Sequence, residues 1–490
     1  MTFAGKSMTT SRPLVCATVT AGTTADLRAE RDRARGDMVE LRLDTVRDPD
    51  VAGALAGRRQ VAIVTCRAKW EGGQFEGSEE ERHRLLGEAL DFGAEYVDVE
   101  WRARFDDLIA RDRGRRIVLS SHDFAGMPGD LADRAHAMRA TGVDVVKIAA
   151  KATRLSDCAA LLGLADGGRS VLIAMGDAGL TTRVLAGRFG SAWTYAGSVR
   201  DVGQVSAAAL IDEFRFHTIS DSTELYGLVG SPIGHSVSPA MHNAAFAAAG
   251  RDAVYLPLPA TDADDFMRFA EAFGIRGASV TIPFKVSLLP FVHDVDETAH
   301  RIGALNTLRR TGGVWHGRNT DAAGFLQPLD ERQIDLRGMR ASILGAGGSA
   351  RAVAVALASR GARLTVHARI RERAERVATG VAAKVGGWPP PAGSWDLLVN
   401  CTPVGMYPRV SETPLDASMI SGGIVYDLVY NPLETQLLRD AAAAGCRTIG
   451  GLDMLVAQAV EQFVCWAGER PDVSVMRIAA LKRLSELEDR

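Results

Sequence analysis

The chain has 490 residues, of which 47% are hydrophobic and 24% charged, and its formal net charge is -3. Such a balance is typical of a globular protein with about two to four domains, and no basic excess points to nucleic acid or an anionic membrane. No apolar run reaches the roughly 18 residues of a transmembrane helix, and the six cysteines lie scattered without zinc-site spacing, so we expect a cytoplasmic protein with reduced thiols and no metal.

Residues 12–218 alternate short β-branched runs with amphipathic segments that favour helix. Eight strands are predicted, at 14–20, 38–44, 61–67, 95–101, 116–123, 143–150, 169–176 and 191–197. Eight βα units in about 200 residues predict an α/β fold, a closed (β/α)8 barrel near the lower size limit of that architecture. The last barrel helix is predicted in VSAAALIDEFRFH, at 205–217.

A polar segment, TISDSTELYG, predicts a domain junction near residue 220. Beyond it, we expect a two-lobed α/β half. The first lobe covers residues 224–322 and is completed by C-terminal helices at about 455–490, and a Rossmann-type lobe covers 323–454. The Rossmann assignment depends on one strand, Gly-rich turn, helix and strand in succession, which form a mononucleotide-binding unit.

Charged residues stand at the predicted C-terminal ends of the barrel strands, where barrels of this kind place their chemistry. They are Glu40, Arg42, Asp44, Arg67, Glu71, His122, Lys147 and Arg183. Lys147 lies among Val, Ile and Ala, and a buried lysine near cations would stay partly neutral and could form an imine with a ketone. The alternative is a lysine at the strand tip that extends into solvent.

The neighbouring strand ends favour the catalytic interpretation. His122 is one strand away and could remove an α-proton and later protonate a leaving hydroxyl. Arg42, Arg67 and Arg183 could bind a substrate carboxylate through paired hydrogen bonds. The alternatives are a structural histidine and salt bridges to neighbouring glutamates.

The motifs ELRLD, TCRAKWEGG, SSHDF, VVKIA and LTTR resemble those of type I 3-dehydroquinate dehydratases, in this order and over residues 12–217. The resemblance implies that Lys147 forms the imine and that His122 is the general acid and base. It further implies substrate contacts from Glu40, Arg42, Arg67, Arg183 and Gln204, with Glu40 also orienting His122. The family's serine before the last helix is Arg200 here, in a loop near 198–206 that we expect to act as a lid.

The turn GAGGSA at 345–350 fits the pattern G-x-G-x-x-A between a strand and a helix. Gly345 permits the tight turn, Gly347 lets the backbone approach a pyrophosphate, and Ala350 packs the helix on the strand. The next strand ends without an acid and is followed by Arg369, Arg371 and Arg373. Arginines there favour a 2′-phosphate and therefore NADP, and the alternative is a solvated helix face.

Upstream polar turns carry Ser236 and Ser238, whose hydroxyls could bind a carboxylate. Lys285 and Asp321 could together pass a proton to an alcohol whose carbon loses hydride. A lysine–aspartate pair is otherwise only a salt bridge.

These segments resemble shikimate dehydrogenases over residues 224–490, through VGSPIGHSVSPAMHN, SVTIPFK, ALNTL, NTDAAGF, GAGGSAR, NCTPVGM, YDLVYNP and GGLDMLVAQA. The resemblance implies a catalytic pair, Lys285 and Asp321. It implies substrate contacts from Ser236, Ser238, Thr281, Asn306, Tyr430 and Gln458. It implies cofactor contacts from Gly345, Ala346, Gly347, Gly348, Ser349, Arg369, Arg373, Asn400, Thr402 and Gly451. Two small polar residues of the family are Ala368 and Ile370 here, which weakens the expected preference for NADP.

Together the two resemblances imply a bifunctional enzyme of aromatic amino acid biosynthesis. The barrel would convert 3-dehydroquinate to 3-dehydroshikimate, and the second half would reduce this product to shikimate with NADPH. Three alternatives stay open: a preference for quinate, a catalytically inactive metabolite sensor, and another imine-forming barrel such as a class I aldolase. The four catalytic residues are all present, which weighs against the sensor, and no feature indicates an oligomeric state.

Overall fold

The computed structural model describes residues 12–165, 169–199 and 202–488. Its contacts divide the chain into two units. The first comprises the described residues up to Glu224 together with Asp252–Gly274, and the second comprises Leu225–Arg251 together with the described residues from Ile275 onward. Residues 252–274 therefore group with the first unit, although they follow the predicted junction near residue 220.

The first unit is built on eight parallel strands. They are β1 Leu14–Val19, β2 Met38–Arg42, β3 Val61–Thr65, β4 Tyr96–Glu100, β5 Ile117–Asp123, β6 Val145–Lys151, β7 Arg169–Met175 and β8 Trp193–Ala196. The order is β7-β6-β5-β4-β3-β2-β1-β8, and a bridge between Ser170 and Ser191 brings the two ends together. All eight strands are largely buried, as β-branched runs covered on both faces should be. The predicted barrel is confirmed.

Helical segments connect the barrel strands. The α-helices are α1 Thr24–Arg33, α2 Val51–Leu55, α3 Glu79–Asp91, α4 Asp106–Ala110, α5 Leu131–Arg139 and α6 Leu180–Val184. A 3-10 helix, Leu155–Leu161, replaces an α-helix after β6. The predicted last helix at 205–217 contains a π-helix, Ala209–Glu213, because the N–H of Phe214 bonds five residues back to Ala209.

The next elements begin at residue 224. The strands are β9 Glu224–Val229, β10 Ala253–Leu258, β11 Ile275–Val280, β12 Asp294–Val295, β13 Thr307–Thr311 and β14 Val314–Arg318. The helices are α7 Ser238–Ala248, α8 Ala263–Phe273, α9 Phe284–Ser287, α10 Glu297–Ile302 and α11 Asp321–Glu331. Within the second unit, the strands run in the order β9-β11-β13-β14-β12, with β13 antiparallel to both neighbours.

A second, wholly parallel sheet completes the second unit. Its strands are β15 Arg340–Leu344, β16 Arg363–His367, β17 Lys384–Val385, β18 Leu397–Asn400, β19 Ile424–Asp427 and β20 Arg447–Ile449, in the order β17-β16-β15-β18-β19-β20. The helices are α12 Gly348–Ser359, α13 Arg371–Thr379, α14 Gln436–Ala443, α15 Gly451–Ala467 and α16 Val473–Glu488. The strand order reverses between β15 and β18, where such sheets bind dinucleotides. This is the predicted Rossmann-type lobe.

Of the C-terminal helices, α16 packs on α7 of the first lobe, and α15 packs on α11, which begins at the predicted boundary between the two lobes. All six cysteines are free thiols. No helix within the described ranges is long and apolar enough to cross a membrane. In the same ranges, no group of three or more His, Cys, Asp or Glu side chains could hold a metal ion.

Candidate active sites

Lys147 lies on β6 inside the barrel and is 4% exposed. Its Nζ donates to Asp98 Oδ2 at 3.0 Å, lies 3.7 Å from Glu40 Oε1, and stands 4.1 Å from the ring centre of Tyr195. The sequence predicts nearby cations, whereas these closest charged groups are carboxylates. Carboxylates so close stabilise a positive charge on the lysine nitrogen.

Arg67 follows β3 and joins the same network. Its guanidinium lies 2.8 Å from Asp98 Oδ1 and 3.1 Å from Glu100 Oε1. Burial raises the pKa of Asp98, but Arg67 and Lys147 outweigh it and hold that pKa well below its ordinary value. Burial lowers the pKa of Arg67, while Asp98 and Glu100 raise it further than burial lowers it. The protein's own carboxylates therefore compensate much of the charge of Arg67.

His122 is held by Glu71. Glu71 Oε1 lies 2.9 Å from His122 Nδ1 and accepts the backbone N–H of His122 at 3.0 Å. Burial raises the pKa of Glu71 to about 7, and burial with Arg67 and Lys147 holds the pKa of His122 well below 6.5. A neutral imidazole that donates from Nδ1 leaves Nε2 free to accept a proton.

The expectation that Glu40 orients His122 is therefore wrong, because Glu71 takes that place. Glu40 instead accepts from Thr18 Oγ1 at 3.1 Å and Thr65 Oγ1 at 2.9 Å, beside Lys147. These contacts position the Glu40 carboxylate toward the lysine.

The remaining two predicted carboxylate-binding arginines differ from each other. Arg42 forms a paired salt bridge with Asp44, at 2.9 and 2.8 Å. Arg183 is buried, and its guanidinium donates only to the backbone oxygens of Tyr195 and Val202, at 3.3 and 2.7 Å. Its Nε has no partner among the described residues, and burial lowers the pKa of Arg183 to about 10. Arg183 is thus the arginine whose charge is left uncompensated.

The predicted lid is described only in part. Gln204 Oε1 accepts the N–H of Val199 at 3.2 Å, so the side chain closes its own loop. Arg200 and Asp201, which carry the departure from the family pattern, lie outside the described residues.

Lys285 and Asp321 form the centre of the site in the second unit. Lys285 Nζ lies 2.5 Å from Asp321 Oδ2, at the start of α11. Asn306 Nδ2 donates to Asp321 Oδ1 at 2.8 Å and to Thr320 Oγ1 at 3.0 Å. Thr320 Oγ1 also donates to the backbone oxygen of Gln458 at 3.1 Å. The structure therefore brings together four of the predicted residues: Lys285, Asn306, Asp321 and Gln458.

Four other predicted substrate contacts do not belong to this hydrogen-bonded group. They are Ser236, Ser238, Thr281 and Tyr430. In the part of the chain that the structure describes, none of them hydrogen-bonds to Lys285, Asn306 or Asp321. The hydroxyl of Ser236 accepts the N–H of Ser238 at 3.2 Å, and burial raises the pKa of Tyr430.

The Gly-rich turn lies beside the lysine. Gly345 has φ 108°, and a side chain there would come within 3.2 Å of the backbone of Cys401. A methyl group at Gly347 would meet nothing within 4 Å, and one at Gly348 would lie 3.6 Å from Lys285 Cδ. The turn therefore leaves room for a pyrophosphate at the start of α12 and faces the lysine.

The other predicted cofactor residues have structural contacts of their own. Asn400 donates to Asp427 at 2.9 Å, and its oxygen accepts from the N–H and hydroxyl of Thr402 at 3.0 and 2.7 Å. A side chain at Gly451 would lie 2.4 Å from the backbone oxygen of Leu428. The contacts of these residues with a cofactor stay predictions.

Sequence reasoning did not select Asp98, and it treated Glu71 only as a salt-bridge partner. Asp98 and Glu100 stand two apart on the buried strand β4, so both side chains point to the same face. The same alternation that singled out Lys147 would have found them.

Family models match much of the chain. One described as type I 3-dehydroquinase matches residues 15–221. Others described as shikimate dehydrogenase substrate binding domain and shikimate 5'-dehydrogenase C-terminal domain match residues 228–308 and 451–481.

Two curated relatives match this chain over most of their own length. A chloroplastic bifunctional 3-dehydroquinate dehydratase/shikimate dehydrogenase of Arabidopsis thaliana is 32% identical over 93% of this chain and 82% of its own. The shikimate dehydrogenase (NADP(+)) of Moorella thermoacetica is 46% identical over 53% of this chain and 92% of its own. Among solved structures, a shikimate dehydrogenase in complex with NADP+ is 36% identical, with a TM-score of 0.52, over 54% of this chain and 97% of its own.

Proposed function

Because the chain belongs to the family of bifunctional 3-dehydroquinate dehydratase/shikimate dehydrogenases, we propose that it catalyses two successive steps of aromatic amino acid biosynthesis. The barrel dehydrates 3-dehydroquinate to 3-dehydroshikimate, and the second unit reduces this product to shikimate with NADPH. The observation that carries the proposal is the presence of two lysines, Lys147 and Lys285, each beside a carboxylate in its own unit.

The dehydration uses Lys147 as the nucleophile. Lys147 gives a proton to a neighbouring base, its neutral amine adds to the substrate ketone, and a proton returns as the carbinolamine hydroxyl leaves as water, which gives an imine with a positively charged nitrogen. Asp98 and Glu40 lie where they stabilise that charge. His122 Nε2 takes the α-proton and returns it to the β-hydroxyl, which leaves as water, and hydrolysis of the imine frees Lys147.

Arg183 is the residue best placed to bind the carboxylate of the substrate. Its buried guanidinium makes no salt bridge within the described residues, and a buried cation gains most from an anionic partner. Arg42 and Arg67 are already paired with carboxylates of the protein, so they shape the site more than they attract the substrate.

The reduction uses Lys285 as the proton donor. As the ketone carbon accepts a hydride, its oxygen takes a proton from the ammonium of Lys285. Asp321 holds that ammonium, and Asn306 holds Asp321 through its other oxygen. These contacts fix the direction from which the proton arrives.

NADPH supplies the hydride when it is bound. The second unit fits this cofactor: the open space at Gly347 admits a pyrophosphate, and β16 ends without an acid that would bind a ribose hydroxyl. Gly348 lies against Lys285, so a cofactor on this turn is close to the proton donor.

A cytoplasmic location belongs to the proposal as well. Six free thiols, five of them buried, are typical of a protein kept in a reducing compartment. Fractionation of the source cells with an antibody to the chain is the measurement that checks it.

The proposed function is tested by NADPH oxidation with 3-dehydroquinate as the only substrate. We expect steady oxidation that Lys147→Ala abolishes and added 3-dehydroshikimate restores. Lys285→Ala should stop oxidation with both substrates, while the absorbance of the conjugated enone product still rises. Borohydride added with 3-dehydroquinate should attach a substrate-derived mass to Lys147. A folded protein that oxidises NADPH with neither substrate would contradict the proposal and favour the sensor.

A further inference from the structure

Inner side chains of the even-numbered barrel strands surround the nitrogen of Lys147. Glu40 lies on β2, Asp98 on β4, Lys147 on β6 and Tyr195 on β8. The interior of such a barrel is filled in layers, and alternate strands contribute the side chains of each layer. Lys147 Nζ lies 3.0 Å from Asp98 Oδ2, 3.7 Å from Glu40 Oε1 and 4.1 Å from the ring centre of Tyr195. Tyr195 is therefore the aromatic member of a group whose other members are charged.

The ring of Tyr195 is neutral and lies away from water. The residue is 3% exposed, and burial together with the Glu40 carboxylate holds the pKa of its hydroxyl well above 10. A neutral aromatic ring carries partial negative charge on its face. It attracts a cation within about 6 Å of its centre, most strongly where water is excluded. The nitrogen of Lys147 meets both conditions.

Formation of the imine changes what the lysine nitrogen can offer the two carboxylates. An ammonium group has three N–H donors, whereas a protonated imine keeps the positive charge and has a single N–H. The imine can therefore direct a strong hydrogen bond to one carboxylate at a time. Attraction to a ring face needs no N–H, so this contact persists when the ammonium becomes an imine.

We propose that the Tyr195 ring is a catalytic group of the dehydratase, which stabilises the positive nitrogen of Lys147 before and after the imine forms. This inference rests on the proposed function of the first unit. The ring does not replace Asp98 and Glu40. It adds an attraction that depends on the charge of the nitrogen alone, and not on how many protons the nitrogen carries.

Other titratable groups near Lys147 come from three further parts of the barrel. Arg67, after β3, shares the Asp98 carboxylate with the lysine. Burial raises the pKa of the Cys16 thiol on β1 well above 9, and burial with Arg67 holds the pKa of His122 on β5 well below 6.5. The thiol and the imidazole are therefore uncharged at neutral pH. All of these groups stay the same when only the ring is changed.

Tyr195 also contacts the arginine that we propose binds the substrate carboxylate. Its backbone oxygen accepts from Arg183 Nη1 at 3.3 Å. A substitution that merely disturbs packing at Tyr195 would displace Arg183 and raise the KM for 3-dehydroquinate. It would not change how imine formation depends on pH, so these two measurements separate a structural role from a catalytic one.

Three replacements of Tyr195 in the full chain test the proposal. Tyr195→Leu removes the ring, and Tyr195→Phe is the matched control because it keeps the ring and loses only the hydroxyl. A third protein carries pentafluorophenylalanine at position 195, which keeps the ring in place while its fluorines withdraw the negative charge from the face. It tests the proposal if the leucine variant does not fold. With 3-dehydroquinate present and NADPH absent, cyanoborohydride traps the imine at Lys147 from mildly acidic to alkaline pH, and mass spectrometry quantifies it.

We expect the amount of trapped imine to decrease at the same alkaline pH in the wild type and in Tyr195→Phe. In the leucine and fluorinated proteins the decrease should begin about one pH unit lower, with about tenfold less imine above that point. The reason is that the neutral amine is favoured once the positive nitrogen loses the ring.

A pH profile that moves in neither protein, or that moves as far in Tyr195→Phe, would overturn the inference. A rise in KM without a change in the profile would also overturn it, since that result reports only a displaced Arg183. Each of these outcomes leaves the proposed function intact. A wild-type protein that forms no trapped adduct at Lys147 would contradict both.

Discussion

The substitution Glu71→Gln tests the electrostatics of the barrel site. Burial raises the pKa of Glu71 from its ordinary 4.5 to about 7, against the opposing charge of Arg67. A difference of this size corresponds to about 3 kcal/mol. Glutamine keeps an oxygen that can accept from the ring and the backbone N–H of His122, at 2.9 and 3.0 Å, but it carries no charge.

The effect on stability depends on pH in a defined direction. Because the folded state prefers the protonated carboxyl, ionised Glu71 destabilises it fully above pH 7, and the penalty disappears below pH 4.5. We therefore expect Glu71→Gln to raise the free energy of unfolding by up to about 3 kcal/mol at pH 8 and by less than about 1 kcal/mol at pH 5. Urea unfolding at both pH values measures this free energy, with the loss of dehydratase activity as the signal.

The dehydratase activity of Glu71→Gln should fall, although its stability rises. The ionised carboxylate stabilises the charge that develops on His122 when the imidazole takes a proton, so the wild-type dehydration rate should rise with pH around 7. In Glu71→Gln this rise should be absent and the rate lower by about ten- to a hundredfold.

Glu76→Gln is the control, since that exposed side chain pairs with Lys69 on the surface. A Glu71→Gln variant that keeps the rise in rate with pH, or that is less stable than wild type at pH 8, would refute the reasoning.

Two further predictions follow from buried charges of the first unit. Arg183→Gln should raise the KM for 3-dehydroquinate by at least about tenfold and leave reduction of added 3-dehydroshikimate unchanged, since a buried charge contact is lost; coupled assays with each substrate measure this, and an unchanged KM would contradict it. Asp265→Ala should destabilise the first unit by about 1–3 kcal/mol, because Asp265 accepts the N–H groups of Leu155 and Ser156 at 3.0 and 2.8 Å. Thermal unfolding beside the exposed control Asp264→Ala measures this, and equal melting temperatures would contradict it.

The barrel and the dinucleotide-binding turn could be predicted because each depends on a local pattern. All eight barrel strands begin within two residues of the positions that the β-branched runs indicate. The grouping of 252–274 with the first unit could not be predicted in this way. It depends on contacts such as those of Asp265 with the segment that begins at Leu155, more than a hundred residues away in the chain.

The residues of the barrel site could be predicted from the sequence better than the contacts between them. Strand ends identified Lys147, His122 and Arg67, since alternation and strand position follow directly from the sequence. Which carboxylate faces which base depends on barrel closure, and this is why Glu71 rather than Glu40 meets the imidazole.

The two lysines show how their surroundings suit one functional group to two reactions. Lys147 lies between two carboxylates that compensate a positive charge on its nitrogen, and an imine keeps that charge. The network therefore fits both the free side chain and the covalent intermediate. Lys285 meets a single carboxylate and is 18% exposed, so a proton given to the substrate can be replaced from solvent. The barrel site thus compensates a positive charge on its lysine before and after the neutral amine attacks, whereas the lysine of the second site gives its proton to the product and regains one in each turnover.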